Sequence, residues 1–218
     1  MLNLIIKDIS IQKKQFIFAL LYFGFLIFAF QSFGQVMFSA GIVAFIYMLS
    51  MTSCANEDKV RSDIMLNSLA VKKANIVLQK YISVYIYFVM GVITYIVFSK
   101  LIQILQIPIK TYSLTYEVFI TGLIASSFMA GLYFPLYFKF GYMKMRIVNF
   151  VLFFLIFFGI SLLSRYFQGG KDFRFLANLV KLWESNELLT IIVSGIIFIM
   201  LMLASFSLAV YFYKKREF

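Results

Sequence analysis

A chain of 218 residues that is 63% hydrophobic, 20% aromatic and 13% charged holds more apolar side chains than a soluble domain of its size buries. The absence of histidine removes most zinc, haem and imidazole acid–base chemistry, and the single cysteine, Cys54, has no partner in the chain for a disulfide. The net charge of +11 is divided among short segments between apolar runs, which points to anionic lipid as the partner and away from nucleic acid. The expected fold class is therefore an all-α polytopic membrane protein built as a single transmembrane domain over 1–218. Lys exceeds Arg by fifteen to five and Phe and Ile are abundant, a composition that suits an AT-rich bacterial genome and a bacterial plasma membrane.

Residues 1–14 place Leu2, Ile5, Ile6 and Ile9 on one helical face and Asn3, Lys7, Ser10 and Lys14 on the other. That pattern predicts an amphipathic helix lying along the inner interface, with Ile5, Ile6 and Ile9 as its lipid-facing anchors. The apolar run that follows is too long for a cleaved signal peptide and is not followed by a small-residue cleavage site. Six transmembrane helices are expected near 16–33, 36–54, 81–98, 118–138, 147–163 and 189–211, each close to the ~20 residues that cross the hydrocarbon. Gly34 and Gln35 alone separate the first two, which predicts a tight hairpin.

Basic residues set the orientation. With the N-terminus inside, fourteen Lys and Arg fall in inner segments and six in outer ones, so both termini and the connection 56–80 are expected in the cytosol. Of the outer loops, 99–117 reads as a plain connector with Pro108. The loop 164–188 is different, because Phe173, Leu176, Val180 and Trp183 form one stripe and Arg174, Asn178 and Lys181 another. Short outer helices between spans five and six are expected there, anchored by the one tryptophan. No internal repeat supports an inverted-repeat transporter.

The expected spans contain no Lys, Arg or Asp, and Glu117 lies at the outer edge of the fourth. This speaks against ion-coupled transport and intramembrane proteolysis, both of which place ionisable groups or metal ligands at membrane depth. The chain also lacks a phosphate-binding loop: Gly169-Gly170-Lys171-Asp172 has neither the upstream glycine nor the hydroxyl. No enzymatic activity, metal or cofactor is expected in this chain, and any ATP hydrolysis must come from another polypeptide. In the fourth span, Gly122, Ser126 and Ala130, with Ser127 and Gly131 beside them, allow close helix approach within the monomer or between subunits. Phe23, Phe30, Phe150, Phe154 and Phe157 line an apolar path in one reading and face lipid in the other.

Segment 56–80 is the longest polar interruption in the first half, with five Lys/Arg and three acids among apolar residues. Ser62-Asp63 has the form of a helix start, with a capping hydroxyl and an acid at the positive end of the dipole. A short helix over 64–69 is expected next, then a break at Ala70-Val71, then a second helix from about Lys72 through Ile76 and Val77 into the third span.

The runs Asn56-Glu57-Asp58-Lys59, Asp63-Ile64-Met65-Leu66-Asn67-Ser68-Leu69-Ala70-Val71 and Ile76-Val77-Leu78-Gln79-Lys80-Tyr81 resemble the loop between spans two and three of type 2 ABC exporter permeases. The nearest likeness is to small bacterial permeases of peptide export and peptide resistance, such as phenol-soluble-modulin exporters. Ala70, Val71 and Lys72-Lys73 stand where that family often has a proline and a hydroxyl-Arg pair. The resemblance implies a short cytosolic coupling helix that docks on a separate ABC ATPase, through Glu57, Asp58, Arg61, Asp63, Ile64, Met65, Leu66, Leu69 and Val71. It also implies ATP and Mg on that partner, a second permease copy or paralogue, and amphipathic or antimicrobial peptide as cargo. Two other functions fit the residues: a membrane substrate-binding module for vitamin uptake, and a non-transporting immunity or scaffold protein.

Overall fold

The computed structural model describes residues 2–29, 34, 36–60, 72–106, 112–168 and 187–216, with side chains described except at 2–5, 11, 13–15, 36, 146, 149–168 and 187–194. Helix α1 (Leu2–Ile11) is followed, after a turn at Gln12, by α2 (Lys13–Ala29). Gly34 then adopts φ 64, a left-handed conformation that glycine accepts freely, and its carbonyl receives the Met37 N–H at 3.1 Å. This reverses the chain into α3 (Val36–Val60), as the Gly34–Gln35 spacing predicts. Helices α4 (Lys73–Ile104), α5 (Tyr116–Gln168) and α6 (Glu187–Lys215) complete the described elements, all of them helical.

Four of these helices contain stretches long and apolar enough to cross a membrane: Met37–Val60, Lys73–Ile104, Tyr116–Met145 and Gly195–Lys215. They coincide with the second, third, fourth and sixth expected spans. The first corresponds to the shorter apolar helix Phe16–Ala29, and the fifth, 147–163, is helical backbone within α5. The short helix over 64–69 and the outer helices near 173–183 lie outside the described residues.

Two connections differ from the sequence reading. The second span's helix runs past its expected end near 54 to Val60, which shortens the polar connection, while α4 begins at Lys73, after Lys72 in extended conformation, in agreement with the helix expected from about Lys72. At ~1.5 Å per residue, the 32 residues of α4 span ~48 Å against ~30 Å of hydrocarbon, so the helix is longer than the membrane core is thick. The connection between spans four and five is likewise helical, apart from a break at Gly141. Gly141 has φ 73 and ψ 170, a conformation essentially restricted to glycine, and a Cβ there would sit 3.1 Å from the Arg216 guanidinium.

Helix α3 is central, packing on α2, α4 and α5, while α6 packs on α5 and α4. Small residues of α5 allow these approaches: a Cβ on Gly122 would lie 2.9 Å from the Phe38 ring, and Gly131 faces Met202 and Ser205 of α6. The stripe of small residues in the fourth span thus packs inside the chain. Pro135 removes the N–H that would bond the Gly131 carbonyl one turn earlier. Ser205 Oγ donates to that carbonyl at 2.6 Å, which commits its single proton, so the Tyr81 hydroxyl donates to Ser205 Oγ, also at 2.6 Å. One proline in α5 thereby creates a polar junction of three helices, as apolar surroundings require. Aromatic rings fill the neighbouring space, with Tyr81 on Phe134 and Phe206, and Phe138 on Tyr213. These contacts bring the start of α4, the Gly141 break and the end of α6 to one end of the bundle. Phe38 on Tyr95 and Phe88 on Phe119 belong to the other end.

Candidate functional site

Asp8, Glu57 and Lys80 are the three charged side chains buried among the described residues, and they meet at one point. Lys80 Nζ lies 3.0 Å from Asp8 Oδ2 and 2.8 Å from Glu57 Oε2, and donates to Ser53 Oγ at 2.8 Å. All three protons of its ammonium are thus placed. Lys7 Nζ lies 2.8 Å from Glu57 Oε1 and 3.6 Å from Asp8 Oδ1. The four groups form a closed ring of alternating sign, Asp8–Lys80–Glu57–Lys7, with two cations balancing two carboxylates. Its exposure is graded: the Lys7 side chain is 24% exposed, against 3% for Lys80 and 0% for Asp8.

Each helix contributes through its own spacing. Ser53 and Glu57 are four residues apart and share one face of α3, and Asp8 and Gln12 do the same at the end of α1. Gln12 Nε2 donates to the Leu49 carbonyl of α3 at 3.1 Å, a second polar tie between the two helices. Lys80 lies two turns into α4, in the part that extends beyond the expected span. Removing one partner from a buried ion pair costs roughly 3–5 kcal/mol, whereas replacing a whole set by apolar groups is often neutral. The ring is therefore weak evidence for stability; what it does is join α1, α3 and α4 through contacts that each need a partner on another helix.

The ring joins the two helices that flank 61–71. Of the residues the resemblance assigns to ATPase coupling, Glu57 is in the ring, Asp58 is half-buried beside it, and Arg61, Asp63, Ile64, Met65, Leu66, Leu69 and Val71 lie outside the described residues. Among the expected anchors of the interface helix, Ile6 is exposed, Ile9 is half-buried and the Ile5 side chain is outside the described set. The side of α1 turned to the protein carries Asp8, with Gln12 just past its end, whereas Ser10 of the expected polar face is exposed. Phe23 is buried in the core and packs against Phe45, with ring centroids 5.2 Å apart. Phe30 and the side chains of Phe150, Phe154 and Phe157 are outside the described set.

Among the described residues, other side chains border recesses. One of about 90 Å³ between α5 and α6 is bordered by Phe128, Gly131, Met202 and Ser205. One of about 480 Å³ at the opposite end from the ring is bordered by Tyr95, Ser99, Lys100 and Tyr112.

Sequence reasoning placed Lys7 on the polar face of the first helix and Lys80 on the helix that leads from the 56–80 connection into the third span, and assigned no role to Asp8, Ser53 or Gln12. The available signal was Asp8 itself, the one acid before Glu57 in a segment otherwise charged by lysine.

No curated protein and no solved structure matches the chain. Residues 3–214 match the family described as ABC-2 family transporter protein, from α1 to the end of α6. The chain therefore belongs to the ABC-2 transporter family, as a membrane-integral permease subunit that associates with an ABC ATPase.

Proposed function

We propose that this permease exports amphipathic or antimicrobial peptides, driven by a separate ATPase that docks at 61–71 and the adjoining helix ends. The observation that carries the docking site is the rigid base beneath that segment, where the charge ring joins the ends of α3 and α4 and ties both to α1. A segment held on such a base passes a push into the bundle instead of yielding to it. ATP and Mg are held by the partner, and this chain supplies no catalytic group. Two permease copies, or one copy and a paralogue, enclose a path that alternates between inward and outward states. Both termini and segment 61–71 face the cytosol, in keeping with the excess of lysine and arginine at the ring end, where Lys139, Lys214 and Lys215 also lie. Spans rich in aromatic residues and without mid-span charge suit a cargo with an apolar face.

Replacing 64–69 with Gly and Ser should leave membrane insertion intact and abolish co-purification of the ATPase. Undiminished co-purification would remove the segment from the docking site. Inside-out vesicles holding both subunits should accumulate a fluorescent, amphipathic lysine–leucine peptide when ATP is supplied. ATPase-bound vesicles that exclude every such peptide would refute the cargo assignment.

A further inference from the structure

The ring offers more than a fixed base for an ATPase, because two of its four members belong to a helix that the docking reading does not require. Lys7 and Asp8 are adjacent on α1, yet they reach two different helices: Lys7 pairs with Glu57 of α3, and Asp8 with Lys80 of α4. Gln12, one turn on, holds the α3 backbone at Leu49. The outer face of the same helix, at Ile6 and Ser10, is exposed. Helix α1 therefore grips the two helix ends through ionic contacts and leaves its other side to the surroundings. Apolar packing between helices permits sliding, since one methyl contact replaces another at little cost. A closed ring of alternating charges resists this, because a slip that separates Asp8 from Lys80 takes a buried carboxylate off its nearest cation.

We propose that the Asp8–Lys80–Glu57–Lys7 ring is a joint that makes α1 travel with the inner ends of α3 and α4, so that the ATPase cycle moves the interface helix along with the coupling segment. Lys7 and Asp8 act as positioning residues: neither touches cargo or nucleotide, and both act by holding α1 to Glu57 and Lys80. The inference rests on ATPase docking at 61–71. It adds the interface helix as a moving part and assigns the residues that attach it.

The balance of charge separates this role from a purely structural one. Changing one member strands a charge and disturbs folding whatever the ring does. Lys7→Met combined with Asp8→Ala removes one cation and one carboxylate, keeps the ring region neutral, and leaves the Glu57–Lys80 pair joining α3 to α4. A structural role predicts a bound ATPase and normal motion in that variant. A joint predicts a bound ATPase and a stationary α1.

The permease–ATPase complex, reconstituted in lipid nanodiscs, would carry spin labels at Ser10→Cys on α1 and Tyr116→Cys at the start of α5, both exposed positions. Cys54 is fully buried and stays out of reach of the label. Pulsed electron resonance would compare the label distance without nucleotide and with ATP plus vanadate. The expected result is a nucleotide-dependent shift in the parent and its loss in the Lys7→Met/Asp8→Ala variant, with the ATPase still bound. If that variant fails to assemble, Lys7→Met with Asp8→Asn removes the same two charges, keeps the size of the Asp8 side chain, and should lose the shift likewise. No shift in the parent complex, or an undiminished shift in an assembled variant, overturns the joint. Absence of the ATPase from the parent preparation instead overturns the docking reading, and the joint with it.

Discussion

Burial is the largest influence on the Asp8 carboxyl and raises it above its ordinary value of 3.8, against the opposing pull of the Lys80 ammonium. Glu57 adds to the rise and Lys7 works against it. The folded chain thus keeps the Asp8 proton to a higher pH than the unfolded chain does. The stability that this proton supplies is fully present below 3.8 and is lost as pH rises through the higher folded value. Asp8→Asn fixes the neutral form, so the melting temperature of the variant in detergent should vary less with pH across that window than the parent's. Identical pH profiles would show that Asp8 is not the group that titrates.

Helices α4, α5 and α6 meet at a carbonyl that Pro135 leaves without its usual partner. Ser205→Ala takes away the hydroxyl that serves the Gly131 carbonyl and also strands the Tyr81 hydroxyl. A buried polar group left unsatisfied costs about 1–3 kcal/mol, so thermal unfolding of the variant should shift down accordingly. Ser205→Thr keeps the hydroxyl and should lose less. Equal melting temperatures for parent and Ser205→Ala would mean that another donor reaches Gly131.

The helices themselves were largely legible in the sequence, because runs such as those after Val36 and Tyr81 are too apolar for anything but a spanning helix. Their ends were less so. Asn56–Val60 reads as loop because it carries charge, yet it is helical, since Glu57 finds its counter-charge in Lys80 across a gap that linear sequence does not display, whereas the helix from about Lys72 into the third span was legible. Gly141 was equally hidden: a lone glycine among lysines and aromatics does not announce that helix continues on both sides of it. The segment 56–80 was recognisable as the functional centre from its polarity and family likeness. The ring beneath it was not, because its members come from three regions separated by 49 and 23 positions (57 − 8 and 80 − 57).

For the whole molecule, charge and apolar area are distributed to opposite purposes. The faces of α2 and α6 turned outward carry Ile17, Phe18, Leu21 and Phe25, and Ile196, Met200 and Leu203, so the perimeter of the bundle is oily. Lys139 lies over the Phe140 and Phe212 rings and Lys215 over Tyr211, which sets cations and aromatics together at the ring end, as a membrane boundary favours.

The ring also dates the assembly of the protein. Asp8, Lys7 and Glu57 are synthesised first, as one cation against two carboxylates, and their missing counter-charge arrives only when Lys80 leads α4 out of the ribosome. Until then two carboxylates share one cation, and the seat of α1 is incomplete. In arrested nascent chains of increasing length, a cysteine replacing the buried Gln12 should react with a water-soluble maleimide until α4 is complete, and resist it afterwards. Protection in chains that end before Lys80 would show that α1 docks without it. The newborn permease thus remains open at its inner end through two spans of synthesis, and the third span closes it.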